Sequence, residues 1–98
     1  MRKGLLEFCT LLIISRGRIY ATDIINELKT ADLIVVEGTL YPLLSRLRQD
    51  GLLGYDWEES ASGPPRKYYH LTGQGEAVLT SLRDSWQELN KSVNKLIK

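Results

Sequence analysis

The chain is poor in the residues from which small domains usually build chemistry. It has one cysteine, Cys9. That excludes an internal disulfide and any cysteine-cluster zinc site, and it suits a reducing compartment. A single histidine, His70, leaves no pair for a metal centre and gives poor support for a catalytic triad. Charge of either sign is not in excess: Lys and Arg number 13, Asp and Glu 12, for a net +1. No global basic field draws the chain to nucleic acid, so any such surface must come from local placement of charge. Long apolar runs are missing as well. The N-terminal stretch begins with Arg2 and Lys3 and turns apolar, as a signal peptide does. However, Glu7 interrupts it, no small-x-small cleavage pattern follows, and Arg16 and Arg18 close it. It is too short to cross a bilayer. A cytoplasmic core helix, with no membrane partner, is the expectation. At 98 residues the chain has room for one small domain with a limited core.

What is present is pattern. In the stretch from Glu37 to Leu52, Leu40, Leu43, Leu44 and Leu47 fall at i, i+3, i+4 and i+7, one apolar stripe of a helix. Gly51 stands where a left-handed C-cap is needed, and Leu52 follows to pack back. Pro42 falls in the opening turns, where its missing N–H costs little. The helix therefore runs over residues 37–50. Its other face carries Gly38, Tyr41, Pro42, Ser45, Arg46, Arg48 and Gln49, with Thr39 at the front. Small residues let a backbone approach closely, and donors further along reach phosphates or base edges. An ordinary solvated helix face reads the same way.

Helix one, from about Arg2 to Ser15, is apolar on nearly every side (Leu5, Leu6, Phe8, Cys9, Leu11, Leu12, Ile13 and Ile14), so it needs cover on two faces, the second from another subunit. Helix two spans roughly Ala21 to Lys29, with Ile24, Ile25 and Leu28 inward. Leu33–Val36 reads as a brief strand or extended link. Leu53–Glu58 and Arg66–Leu71 are aromatic-rich strand candidates around a loop from Glu59 to Pro65, which makes a hairpin with positive charge at the loop's base. Thr72 offers an N-cap to a last helix over about 74–97. In that helix Leu79, Leu82, Trp86, Leu89, Val93 and Leu96 alternate spacings of three and four, an a/d seam that calls for a second copy of the chain. Gly73-Gln-Gly75 resembles the start of a dinucleotide fingerprint, but Val78 holds the third glycine's place and no second strand follows. No enzyme, cofactor, metal or catalytic residue is expected.

Three helices, a hairpin and a long helix give a mainly α (α+β) winged helix-turn-helix. Residues 1–72 form the DNA-binding part and 73–98 a C-terminal dimerisation helix. Three sequence segments resemble the PadR-like transcriptional regulators: Gly38-Thr-Leu-Tyr-Pro-Leu-Leu-Ser-Arg-Leu47, Asp50-Gly-Leu-Leu53, and Gly63-Pro-Pro-Arg-Lys-Tyr-Tyr-His-Leu-Thr72 followed by Gly75. The resemblance covers nearly the whole chain and is closest to the short subfamily with one C-terminal helix, which includes multidrug-sensing repressors. It implies a homodimeric cytoplasmic repressor of double-stranded DNA, with helix 37–50 in the major groove and the wing, 53–71, on the backbone or minor groove.

The DNA-facing positions implied are Gly38, Thr39, Tyr41, Pro42, Ser45, Arg46, Arg66, Lys67 and Tyr69. For Arg46 an i,i+4 pair with Asp50 is the competing reading. The dimer interface implied is Leu5, Phe8, Leu12, Leu79, Leu82, Trp86, Leu89, Val93 and Leu96. Trp86 is either an anchor of that seam or one wall of a slot for a small aromatic or cationic effector. Two departures stand out. Tyr20-Ala-Thr22 replaces the family's frequent His-Gly-Tyr, and Val36 stands where a polar helix cap is usual. The alternative to a DNA-binding repressor is a winged-helix module that binds another protein.

Overall fold

The computed structural model describes residues 3–60 and 63–97. The order is α1 (Lys3–Ile14), β1 (Ile19–Tyr20), α2 (Ala21–Thr30), α3 (Glu37–Gln49), β2 (Leu53–Ser60), β3 (Gly63–Leu71) and α4 (Gly73–Leu96). The expected start of α1 at Arg2 and the tip of the expected wing loop, residues 61–62, lie outside the described residues. Helices α2 and α3 are the helix-turn-helix, and β2 and β3 are the wing.

Apolar periodicity dictates the packing. The stripe Leu40, Leu43, Leu44 and Leu47 of α3 is buried, as are Ile24 and Leu28 of α2. Both join one core with α1, whose Leu6, Phe8, Leu11, Ile13 and Ile14 all belong to it. A helix apolar on nearly every side does need cover on two faces, but most of that cover comes from within the chain: α2, α4 and β3 all contact α1. Phe8, expected at a subunit interface, is buried in its own protomer. Leu12 is half-buried against the same core, and only Leu5 stands exposed.

The ends of the helices follow local chemistry. Asp32 takes a left-handed conformation (φ 64°) after α2, and the Leu33 N–H reaches back to the Leu28 carbonyl at 2.8 Å. Leu33–Val36 forms no strand; Leu33 and Val35 tuck in while Ile34 and Val36 face solvent. Val36 is the N-cap of α3 and makes no side-chain cap bond, so only its carbonyl serves the helix start, accepting from the Thr39 and Leu40 N–H groups. Gly51 closes α3 at φ 81°, and the Leu52 N–H bonds the Leu47 carbonyl at 3.0 Å. Thr72 caps α4 through an Oγ1 that accepts the Gly75 N–H at 3.0 Å, and its hydroxyl donates to the Gly51 carbonyl at 2.7 Å.

The sheet is antiparallel in the order β1-β3-β2. Its first strand was not expected: Ile19 and Tyr20 pair with Tyr69 and Tyr68. The hairpin strands run further than the expected loop allowed, to Ser60 and from Gly63, with an irregularity between Glu58 and Ser60. Pro64 and Pro65 lie inside β3 beyond the stretch that β1 pairs, where one side of the strand has no ladder to lose.

Candidate nucleic-acid interface

Strand alternation sorts the wing into two faces. Tyr55, Trp57, Lys67 and Tyr69 share one, through the register pairs Tyr55↔Tyr69 and Trp57↔Lys67. Asp56, Glu58, Arg66, Tyr68 and His70 share the other. The first face looks across a cleft of about 430 Å³ toward α3. Tyr41 and Ser45 of α3 form one wall, Trp57, Lys67 and Tyr69 of the wing form the other, and Tyr20, Ala21, Thr22 and Arg66 close the end. Among the described residues that line it there is no carboxylate, while Arg66 and Lys67 are both cationic. A chain of near-zero net charge thus concentrates positive charge in one concave place, which is what a polyanion requires.

The expected contact residues are distributed unequally around this cleft. Gly38, Thr39, Tyr41, Pro42 and Ser45 are all exposed on α3. Arg66 is exposed and Lys67 half-buried at the cleft. Arg46 is turned elsewhere: its guanidinium pairs with Glu7 of α1 at 3.1 Å, rather than with Asp50 or with the cleft. Tyr69 is only 7 % exposed, one of the core residues, so it forms the floor of the cleft rather than a projecting contact. Burial is the main cause that raises its phenol pKa, with Tyr41 and Tyr55 adding to it and Arg48 opposing.

Two cleft residues carried no signal as contacts in the sequence. Trp57 is 60 % exposed, and only the hairpin register places it opposite Lys67. In the sequence Tyr20 stands out only as a departure from a family pattern. The structure stacks its ring on Tyr68 with centroids 4.1 Å apart and planes 23° apart. The Tyr68 phenol is pushed up to about 12, chiefly by its hydrogen bond with Tyr20, then by desolvation and the nearby Glu58.

At the other end of the molecule, α4 divides the expected seam in two. Leu79 is buried and Leu82 half-buried against the protomer's own core. Beyond them Trp86 (46 % exposed), Leu89 (57 %), Val93 and Leu96 form an uncovered apolar stripe. Trp86 touches its own chain through a tilted contact with Phe8 at 6.4 Å. No helix is long and apolar enough to cross a membrane among the described residues.

A helix-turn-helix with an exposed second helix, followed by a cationic hairpin, defines a winged-helix protein, a fold built to bind DNA. The comparisons agree. The model of the transcriptional regulator PadR-like family matches residues 10–81. The crystal structure of a PadR-like transcription factor from Bacteroides fragilis superposes with a TM-score of 0.87 at 60 % identity, covering 98 % of this chain and 93 % of that one. A PadR-like transcriptional regulator from Bacillus cereus gives a TM-score of 0.87 at 37 % identity, over 98 % and 94 % of the two chains. A transcriptional regulator of Mycobacterium tuberculosis is 36 % identical over 77 residues, 79 % of this chain and 71 % of its own length. The chain belongs to the PadR-like family of transcriptional regulators, and it is a DNA-binding regulator rather than an enzyme.

Proposed function

We propose that the chain is a homodimeric, sequence-specific repressor. Residues 1–72 bind DNA and residues 73–98 pair with a second copy. The observation that carries this reading is the cleft: α3 and a basic wing face one another across a concavity that no carboxylate among the described lining residues neutralises. Gly38, Thr39, Tyr41, Pro42 and Ser45 of α3 enter the major groove, and Arg66 and Lys67 contact the adjacent backbone or minor groove. The uncovered stripe from Trp86 to Leu96 is the dimer seam. Dimerisation then sets two reading helices at the spacing of two half-sites. A small planar aromatic or cationic effector stacks on Trp86 and its symmetry mate and relieves repression.

The test is fluorescence anisotropy with DNA from upstream of the protein's own gene, against a scrambled duplex of equal length, titrated across salt. Tight binding to the first, weakening steeply with salt, supports the reading. Weak and equal binding to both, alongside capture of one stoichiometric protein partner, replaces it with a protein-interaction module.

A further inference from the structure

A long cationic side chain loses several rotamers when it grips a ligand, so a cation already held in place binds better than one that must be gathered. What holds it matters equally. A carboxylate fixes the side chain but cancels the charge, whereas an aromatic face fixes it and leaves the charge available.

Both cleft-side wing cations are held by rings. The Arg66 guanidinium lies 5.0 Å from the centre of the Tyr20 ring, and Tyr20 in turn stacks on Tyr68. Arg18 covers the far side of Tyr68 at 4.4 Å, completing a pile of guanidinium, phenol, phenol and guanidinium across β1 and β3. The Lys67 Nζ sits 4.5 Å from the Tyr55 ring and 5.2 Å from Trp57, and those two rings meet edge to face at 88°. Glu58 is the register partner of Arg66, yet among the described residues neither Arg66 nor Lys67 forms an ion pair. Trp57 is too exposed for core packing to explain it.

We infer that Tyr20 and Trp57 are positioning residues for DNA binding, which hold Arg66 and Lys67 at the cleft without neutralising them. This rests on the reading of the cleft as the DNA surface. The two rings themselves need make no contact with a base.

The experiment is a pair of double-mutant cycles read by anisotropy with the upstream duplex: Tyr20→Leu with Arg66→Ala, and Trp57→Leu with Lys67→Ala. Tyr20→Leu and Trp57→Leu each weaken binding about two- to fivefold while leaving the salt slope in place, because no charge is removed. Arg66→Ala and Lys67→Ala weaken binding and reduce the slope by about one each. Once the cation is gone, removing its ring costs nothing further. Tyr20→Phe, which keeps the ring face, binds within about twofold of wild type by the same reasoning. Because Trp57 is exposed, its arm remains readable if Tyr20→Leu fails to fold.

Additive cycles overturn the inference, as do ring variants with wild-type affinity or a Tyr20→Phe variant as weak as Tyr20→Leu. In those cases wild-type binding and the losses from Arg66→Ala and Lys67→Ala persist, so the cleft reading stands. Absence of specific binding by the wild-type protein overturns both.

Discussion

Gly75→Ala should be among the most damaging small changes available, although helix propensity alone says the reverse. Alanine gains up to about 1 kcal/mol over glycine in a helix. Here a Cβ on Gly75 would lie 2.1 Å from the Leu52 carbonyl oxygen, far inside the 3.0 Å that real Cβ atoms keep. The obstacle is backbone, so no rotamer relieves it, and the start of α4 must move away from the turn that ends α3. Overpacking of this kind costs about 1–3 kcal/mol. The same movement stretches the bonds from the Thr72 N–H to the Leu52 carbonyl (3.1 Å) and from the Thr72 hydroxyl to the Gly51 carbonyl (2.7 Å). Each is worth about 1 kcal/mol. Set against the propensity gain, the net loss is about 2–4 kcal/mol, or a fall in Tm of about 10–25 °C for a domain of this size. Thermal unfolding followed by circular dichroism at one fixed protein concentration measures it. Gly73→Ala is the control: a Cβ there meets nothing within 4 Å, so its Tm should hold or rise slightly. A Gly75→Ala protein as stable as wild type would refute the close-contact argument.

Other outcomes follow from the same packing. Leu89→Asp puts a charge in the uncovered stripe of α4, and sedimentation should then report a monomer; an unaltered wild-type-like dimer would remove α4 from the interface. Arg46→Ala should cost about 0.5–1 kcal/mol of stability by losing its partly exposed pair with Glu7. It should leave DNA affinity and salt slope unchanged, and a lower slope would return Arg46 to the contact surface. The raised Tyr68 pKa favours the folded state while the phenol is protonated. That contribution is complete below the ordinary value of 10.0 and is lost as pH rises through about 12. Tyr68→Phe should therefore flatten the fall of stability across that window in denaturant melts; an unchanged pH profile would contradict the assignment.

The fold was legible wherever a periodic pattern or a cap residue encodes it locally. Leu40, Leu43, Leu44 and Leu47 state which face of α3 is buried, Gly51 states where that helix stops, and Thr72 states where α4 begins. Contacts set by tertiary geometry were not legible. Ile19 and Tyr20 are too short a run to show alternation, and they become a strand only because β3 lies beside them. For Arg46 the sequence offers a DNA contact or a pair with Asp50, and Glu7 is missed because it is remote in sequence and lies on another helix. The a/d pattern of α4 is plain in the sequence, but a repeat does not say which of its members the protomer keeps. Leu79 was kept and Leu89 was left uncovered. Trp57 depended on the hairpin register, which Pro64 and Pro65 disguised by making a stretch of strand look like loop.

One residue, Thr72, ties the turn after α3 to the first turn of α4 through its hydroxyl and its backbone N–H. Mechanically this joins α3 to the long helix at one tight corner, held by hydrogen bonds and by a glycine with no room for a side chain. The 24 residues of α4 form a lever of about 36 Å. Its first turns also pack on α1 and β3, so a load applied at the far end of α4 falls on that packing and on the joint that closes α3. On the proposed function, the stripe at one end of the molecule and the cleft at the other meet at this single joint.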